Sequence, residues 1–212
     1  MNAAVPILHD DEHLLVVDKP SDLLVVAAPG RSGPTLIDVL SAQLGQRVHA
    51  VHRLDEGTTG ALVVARTVAG RDAMDPLFRN HAVRREYLAL VVGRPSPDAG
   101  RIESRLQEID GVVRVVERGG QPAITHYEAL ARRDRLTLVC CRLETGRRNQ
   151  IRAHLSALGC PIAGDRKYGY RARPGESFAR PMLHSWRLAF RHPLLGVDVA
   201  VEAVPFESLL RP

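Results

Sequence analysis

The chain has 212 residues, of which 45% are hydrophobic and 25% charged, so it can bury the core of one domain or of two closely packed lobes. This composition excludes a disordered tail, and no apolar run approaches the roughly 18 residues that a membrane-spanning helix needs. The formal net charge is +5, and all but two of the 29 basic residues are arginines, which favours a polyanionic partner.

Short apolar, β-branched segments bounded by turn residues recur along the chain and predict strands. They cover residues 14–17, 23–26, 61–65, 87–92, 112–116, 123–130, 136–143, 183–190 and 197–201. Asp110 and Gly111 lie between the sequences IESRLQEI and VVRVVER and predict a two-residue hairpin turn.

Helical signals are fewer. Thr35 and Asp38 have the spacing of a capping box, and Gly45 follows the apolar positions that it introduces. A second helix is predicted for residues 68–80, where Pro76 should break or kink it. A third is predicted for residues 149–158, with Asn149 as its N-cap. Strands dominate without βαβ alternation, which predicts an α+β fold with a mixed, mostly antiparallel sheet and flanking helices.

The segment from His52 to Gly60, HRLDEGTTG, contains a carboxylate next to a Thr- and Gly-rich turn that precedes a buried strand. Asp55 there has two interpretations. In one it caps the turn and pairs with Arg53, as aspartates in loops commonly do. In the other, nearby guanidinium keeps it ionised, so that it acts as a nucleophile or base.

A second segment, TGRRNQIRAHL, begins the third predicted helix. Arg148 and Arg152 would lie one turn apart on one side of it, with Ile151 on the apolar face. A helix start with several arginines is suited to an anion, although a solvated basic face has the same pattern.

These segments resemble, in order, the motifs of the RluA family of RNA pseudouridine synthases. HRLDEGTTG is similar to the family's HRLDxxTSG signature. Other matches are Lys19-Pro20, the segment REYLALVVG from Arg85 to Gly93, the block TGRRNQIRAHL…GCPIAGDRKYG and the late LH…LAF…HP run. The resemblance spans residues 14–204. Several ordered motifs are far more specific than one string.

The resemblance implies a role for each matching residue. Asp55 corresponds to the essential aspartate, whose attack or proton abstraction lets uracil detach, rotate and rejoin through carbon 5. Tyr87 corresponds to the tyrosine that stacks on the flipped base, Ile151 to an apolar residue of the base pocket, and Arg152 to the arginine that pairs with the aspartate. Four further residues are implied to contact the RNA backbone: Arg53, Arg147, Arg148 and Lys167.

The family also implies the α+β pseudouridine-synthase fold with a central active-site cleft, present here as a single catalytic domain over residues 1–212. We expect no separate amino-terminal RNA-binding domain, so target choice in ribosomal or transfer RNA would rest on the catalytic domain, helped by the hairpin of residues 101–118. Isomerisation requires no cofactor or metal, and none is signalled. Three cysteines, two of them adjacent, fit neither a disulfide framework nor a CxxC metal site, and we expect a cytoplasmic monomer.

The sequence departs from the family pattern at four positions. Asp22, Thr59, Arg85 and Asn149 stand where Gly, Ser, Lys and His are usual. None of them replaces the implied catalytic aspartate.

Two other functions remain open from the residues. A non-catalytic basic RNA-binding protein of the same fold would have the same charge, but it would not need a carboxylate facing a polyanion. A glycosidic hydrolase would pair Asp55 with Glu56 or Asp165 and would release the base.

Overall fold

The structure, a computed structural model, describes residues 4–205. In chain order its elements are β1 (Ile7–Asp10), β2 (Leu14–Lys19), α1 (Leu36–Leu44), β3 (His49–Ala50), β4 (Thr59–Ala65), α2 (Val68–Arg79), β5 (Arg84–Val92), β6 (Ala99–Ile109), β7 (Val112–Val116), β8 (Gln121–Arg133), β9 (Leu136–Leu143), α3 (Gln150–Ala157), a 3₁₀ turn (Arg166–Tyr168), β10 (Leu183–Arg191) and β11 (Asp198–Glu202). The described chain divides into two compact units. One contains residues 4–85 and 185–204, and the other is centred on residues 86–184.

The first unit is built on strands in the order β1-β2-β4-β10, with β3 beside β4 and β11 beside β10. β2 runs antiparallel to β4 from Leu14 opposite Ala65 to Lys19 opposite Gly60. All seven residues of β4 are buried, as expected for a strand covered on both faces. The hydrophobic core of the first unit includes Met74 of α2 together with apolar residues of β2, β4, β10 and β11.

The two helices of this unit have side-chain caps. Thr35 and Asp38 form the predicted capping box of α1, and Gly45 ends the helix in a left-handed conformation (φ 64°). Thr67 caps α2 by accepting a hydrogen bond from the Gly70 amide. Of the two effects predicted for Pro76, the break does not occur, because α2 continues through Pro76 to Arg79, and the kink stays a prediction.

The second unit is a sheet of five strands in the order β5-β9-β8-β6-β7, all antiparallel to their neighbours. Asp110 and Gly111 connect β6 to β7 with φ values of 50° and 73°, which confirms the predicted two-residue turn. Helix α3 packs on this sheet through a buried cluster of Leu106, Val113, Ala123, Ala153 and Tyr168.

Eight of the nine predicted strand segments lie in strands, and the α+β class with a mostly antiparallel sheet is confirmed. The strand predicted for residues 23–26 is wrong. Its backbone carbonyls at Leu24 and Val25 instead accept hydrogen bonds from the Leu36 and Ile37 amides (2.7 and 3.4 Å) at the start of α1. β1 and β3 were not predicted. Within residues 4–205, none of the helices has the length and apolar character to cross a bilayer.

Candidate active site

Asp55 lies in the tight turn that leads into β4. The Thr58 amide donates to the Asp55 carbonyl (3.0 Å), which closes the turn, while Thr58 and Thr59 are buried. The side chain of Asp55 is partly exposed, because the turn brings it to the surface just before the chain enters the core. A turn of this kind fixes the backbone that carries the carboxylate.

A buried ammonium group holds this turn in place. Lys19 ends β2 and is fully buried, and its Nζ donates to the carbonyl oxygens of Pro20 (2.9 Å), Glu56 (2.9 Å) and Thr58 (3.0 Å). These three bonds match the three donors of an ammonium group, so Lys19 ties two residues of the turn to the end of a core strand. A buried charge is tolerated when its hydrogen bonds are satisfied in this way.

His52 anchors the other side of the turn. Its Nε2 accepts a hydrogen bond from the Val63 amide of β4 (3.0 Å), and its ring stacks on Phe78 with centroids 4.3 Å apart. Burial, together with the charge of Arg85, lowers the pKa of His52 to about 3. The ring is therefore neutral at ordinary pH, as accepting from an amide requires.

A neighbouring loop reaches the same turn through Glu56. The Asp22 amide donates to the Glu56 carbonyl (3.1 Å), and the Glu56 carboxylate forms an ion pair with Arg31. Asp22 has a φ of 60°, in the left-handed region that glycine adopts most easily. This conformation accounts for the glycine that the family usually has at this position.

In the second unit, Arg152 of α3 is held by a buried carboxylate. Its Nε and Nη2 donate to the two carboxylate oxygens of Asp165 (2.7 and 2.8 Å), and Nη1 donates to the side chain of Asn149 (3.2 Å). The Asp165 side chain is 1% exposed and that of Arg152 12%. The guanidinium group lies over the Tyr168 ring, 4.7 Å from its centroid. The bidentate pair and the ring together fix the plane of the guanidinium.

Asn149 is the N-cap residue of α3, as predicted, but its side chain does not cap the helix. Asn149 precedes the helix with a φ of 51° and makes no side-chain cap bond, since its oxygen accepts from Arg152 instead. The side chain of Gln150 holds the start of α3 instead. Its oxygen accepts hydrogen bonds from the Thr145 hydroxyl (2.8 Å) and from the Arg147 amide (3.0 Å). The start of α3 is thus fixed by a buried amide.

His154 joins α3 to two strands of the sheet. It is fully buried, with Nδ1 bonded to the Thr125 hydroxyl and Nε2 to the Ser104 hydroxyl, both at 2.9 Å. The Thr125 oxygen also accepts a hydrogen bond from the side chain of Gln150, so His154, Thr125 and Gln150 form one buried polar network. Burial lowers the pKa of His154 to about 4, so the ring stays neutral.

The residues implied to stack on or enclose a base are both buried. Tyr87 is 5% exposed and lies on β5 opposite Cys141 of β9. Ile151 is 4% exposed in the first turn of α3. Burial agrees with a pocket role and equally with core packing, so their contact with a base stays a prediction.

The four implied RNA contacts differ in their surroundings. Arg53 is exposed between His52 and the buried Leu54, and Lys167 is exposed on the 3₁₀ turn. Arg147 donates from Nε to the Pro122 carbonyl (3.2 Å). Nη1 of Arg148 donates to both carboxylate oxygens of Glu108 of β6, at 2.7 Å to each. A phosphate would therefore compete with Glu108 for Arg148.

The predicted site residues belong to both units. Arg53 and Asp55 lie in the first, whereas the other six, Tyr87, Arg147, Arg148, Ile151, Arg152 and Lys167, lie in the second. The implied pairing of Asp55 with Arg152 stays a prediction.

Sequence reasoning did not assign structural roles to Lys19, His52 or Asp165. The sequence does single out Lys19 as a candidate structural residue, because it is one of only two lysines in the chain and ends an apolar strand. Asp165 was considered only as a possible second acid, and its bidentate bond to Arg152 uses both of its oxygens.

Comparison with solved structures defines the class of fold. Human RNA pseudouridylate synthase domain containing 4 superposes with a TM-score of 0.78 at 28% identity, covering 97% of this chain and 90% of the human one. Human RNA pseudouridylate synthase domain containing 1 has the same TM-score at 24% identity and supports the fold alone. The fold is therefore that of the RNA pseudouridylate synthases.

Sequence comparison gives the family. The RNA pseudouridylate synthase family model matches residues 13–157. Ribosomal large subunit pseudouridine synthase D of Nitrosomonas europaea is 40% identical over 209 residues, which cover 91% of this chain and 60% of that protein. An uncharacterised RNA pseudouridine synthase of Bacillus subtilis is 38% identical, covering 93% of this chain and 68% of the relative. The chain belongs to the RNA pseudouridylate synthase family, and it spans about 60% of the length of the Nitrosomonas relative.

Proposed function

We propose that this protein is an RNA pseudouridine synthase that isomerises uridine to pseudouridine in large-subunit ribosomal RNA, with Asp55 as the catalytic carboxylate. Transfer RNA is the second substrate class that the motif resemblance implies. The protein acts as a cytoplasmic monomer without a metal or cofactor. Family membership and the names of the relatives support the reaction and the ribosomal substrate.

The observation that carries the role of Asp55 is the fixed turn around it. Lys19 donates three hydrogen bonds to that region, and His52 anchors the residues on its amino-terminal side to β4. A carboxylate at a partly exposed, rigid position is preorganised, so binding a substrate requires little conformational change of the turn. A loop that served only to connect β3 and β4 would not need a buried cation to hold it.

The reaction is balanced by rearrangement alone. The bond from the sugar to the ring nitrogen breaks, the uracil rotates, and a bond forms from the same sugar carbon to carbon 5 of the base. The hydrogen on carbon 5 is lost to solvent and the freed nitrogen gains a proton, so the RNA keeps its mass. Asp55 acts on the target nucleotide as nucleophile or base.

The second unit contributes the groups that hold the nucleotide. Tyr87 stacks on the extruded base and Ile151 encloses it, which helps to offset the few kcal/mol needed to leave the stack. Arg152, oriented by Asp165, pairs with the catalytic carboxylate and keeps it ionised. Arg53, Arg147, Arg148 and Lys167 contact the RNA backbone.

Release of tritium from RNA labelled at carbon 5 of uridine tests this proposal, with digestion and mass spectrometry to detect pseudouridine. The wild-type protein should release tritium from large-subunit ribosomal RNA, with transfer RNA assayed in parallel. Asp55→Asn should abolish release while leaving RNA affinity within a few-fold. Absence of tritium release from both RNAs by the wild type would overturn the proposal.

Glu56→Gln is the matched control, because Glu56 is the adjacent carboxylate and pairs with Arg31. It should retain turnover, whereas a hydrolase using Asp55 and Glu56 together would lose it. Free uracil in the reaction mixture would indicate that hydrolase instead. Unchanged turnover in Asp55→Asn would contradict the catalytic role of Asp55.

A further inference from the structure

Arg85, the second residue of β5, is a buried cation without a carboxylate partner among residues 4–205. It is 6% exposed, and its Nε is fully buried without a hydrogen-bond acceptor. The two Nη nitrogens are not fully buried and make no hydrogen bond within the described chain, so they keep contact with solvent. The charge of this side chain is therefore not compensated by an ion pair.

Other sheltered arginines in the chain are compensated. Arg66 pairs with Asp10, Arg135 with Glu176 and Arg152 with Asp165. The side chains of these three arginines are only 18%, 17% and 12% exposed. Burial of a guanidinium in this protein is thus usually accompanied by a carboxylate. Arg85 departs from that pattern.

Two uncharged rings lie near the Arg85 side chain. Its guanidinium lies 5.7 Å from the centroid of the Phe78 ring, and Phe78 stacks on His52. His52 is held neutral because its Nε2 accepts from the Val63 amide. A weak cation–π contact is far from enough to offset the desolvation of a guanidinium, so the unbound protein carries a cost at this position.

A guanidinium is well suited to a phosphate, because its planar fork donates two parallel hydrogen bonds to a pair of oxygens. The two Nη nitrogens that reach solvent provide such a fork. Arg85 also precedes Tyr87 by two residues. Side chains two residues apart in a strand lie on the same face, so Arg85 and Tyr87 share one face of β5.

We propose that Arg85 forms a phosphate subsite, in which its two Nη groups bind a phosphodiester of the RNA next to the target uridine. This inference rests on the proposed function and adds a contact outside Arg53, Arg147, Arg148 and Lys167. The subsite reads no base, so it strengthens binding independently of sequence. The phosphate supplies the counter-charge that the protein itself does not.

Arg85→Met tests the subsite, because methionine keeps an apolar stem of similar length and removes the charge. The control is Arg79→Met, which removes an exposed arginine of α2 that pairs with Asp75. RNA affinity is measured for the full chain in the Asp55→Asn background at several salt concentrations, using large-subunit ribosomal RNA transcripts. Thermal unfolding of the same variants is followed without RNA and with inorganic phosphate.

Arg85→Met should weaken RNA binding roughly tenfold and reduce the salt slope by about 0.7, the value for one phosphate of a single strand. Its melting temperature without RNA should equal or exceed that of the parent protein, since an uncompensated buried charge has been removed. Arg85→Lys should restore part of the affinity. Arg79→Met should leave the affinity within twofold.

Two results would overturn the subsite. One is RNA affinity and salt slope in Arg85→Met equal to those of the parent. The other is a lower melting temperature with unchanged affinity, which would assign Arg85 a structural role. Failure of the proposed function is told apart from failure of the subsite by the parent protein. If the parent does not bind RNA, both proposals fail. If the parent binds RNA and Arg85→Met binds it equally well, only the subsite fails.

Discussion

Replacement of Lys19 by methionine tests whether one buried ammonium group maintains the turn that carries Asp55. The substitution keeps the length of the side chain but leaves the carbonyls of Pro20, Glu56 and Thr58 without this donor. Hydrogen bonds to a charged group contribute about 1.5–3 kcal/mol each, so three correspond to roughly 5–9 kcal/mol. Removing the cost of burying a cation, several kcal/mol, offsets part of this. We expect Lys19→Met to lower the free energy of unfolding by about 3 kcal/mol.

Urea denaturation followed by circular dichroism measures this change, and tritium release from labelled RNA measures its effect on turnover. The control for the denaturation measurement alone is Lys167→Met, since Lys167 is the only other lysine and is exposed on the 3₁₀ turn. It should change the free energy of unfolding by less than about 0.5 kcal/mol. A Lys19→Met protein as stable as the wild type would show that the three bonds do not hold the turn.

Three further predictions concern stability. Asp165→Asn should lose about 3–5 kcal/mol, because it leaves the buried Arg152 without its counter-charge; equal urea midpoints would contradict this. The pKa of Glu176 is lowered from 4.5 to about 2, chiefly by its hydrogen bond to Arg135. Since this folded pKa is depressed, the stabilisation is present above pH 4.5 and is lost as the pH falls towards 2. The stability difference between wild type and Glu176→Gln, about 2 kcal/mol at pH 7, should therefore vanish near pH 2, and a constant difference would refute the assignment. Gly70→Ala should cost about 1–3 kcal/mol in thermal unfolding despite the higher helix propensity of alanine, because the new Cβ would lie 2.5 Å from a backbone carbonyl oxygen; an unchanged melting temperature would contradict it.

Local signals were sufficient for most of the fold. The capping box of α1 and the turn at Asp110 and Gly111 depend on neighbours within a few residues, and both formed as predicted. The strand predicted for residues 23–26 was wrong. The prediction used the apolar side chains of this segment, but its backbone carbonyls bond to the start of α1, and the sequence does not reveal such bonds. The break predicted at Pro76 did not occur, since α2 continues to Arg79.

The candidate site was predictable only as a set of side chains. The motif that contains Asp55 identified the carboxylate, but the three acceptors of Lys19 are main-chain carbonyls, which no residue type reveals. The partner of Arg152 within its own unit, Asp165, lies 13 residues further along the chain, and a pairing at that separation depends on the fold. Asn149 was assigned to the helix cap on residue type, although its oxygen serves the guanidinium instead.

Tyr168 connects two features that are usually considered separately. The face of its ring supports the guanidinium of Arg152, and its hydroxyl accepts the Val113 amide of the β6–β7 hairpin (3.1 Å). A force that bends the hairpin is therefore transmitted through one rigid phenol to the arginine of α3.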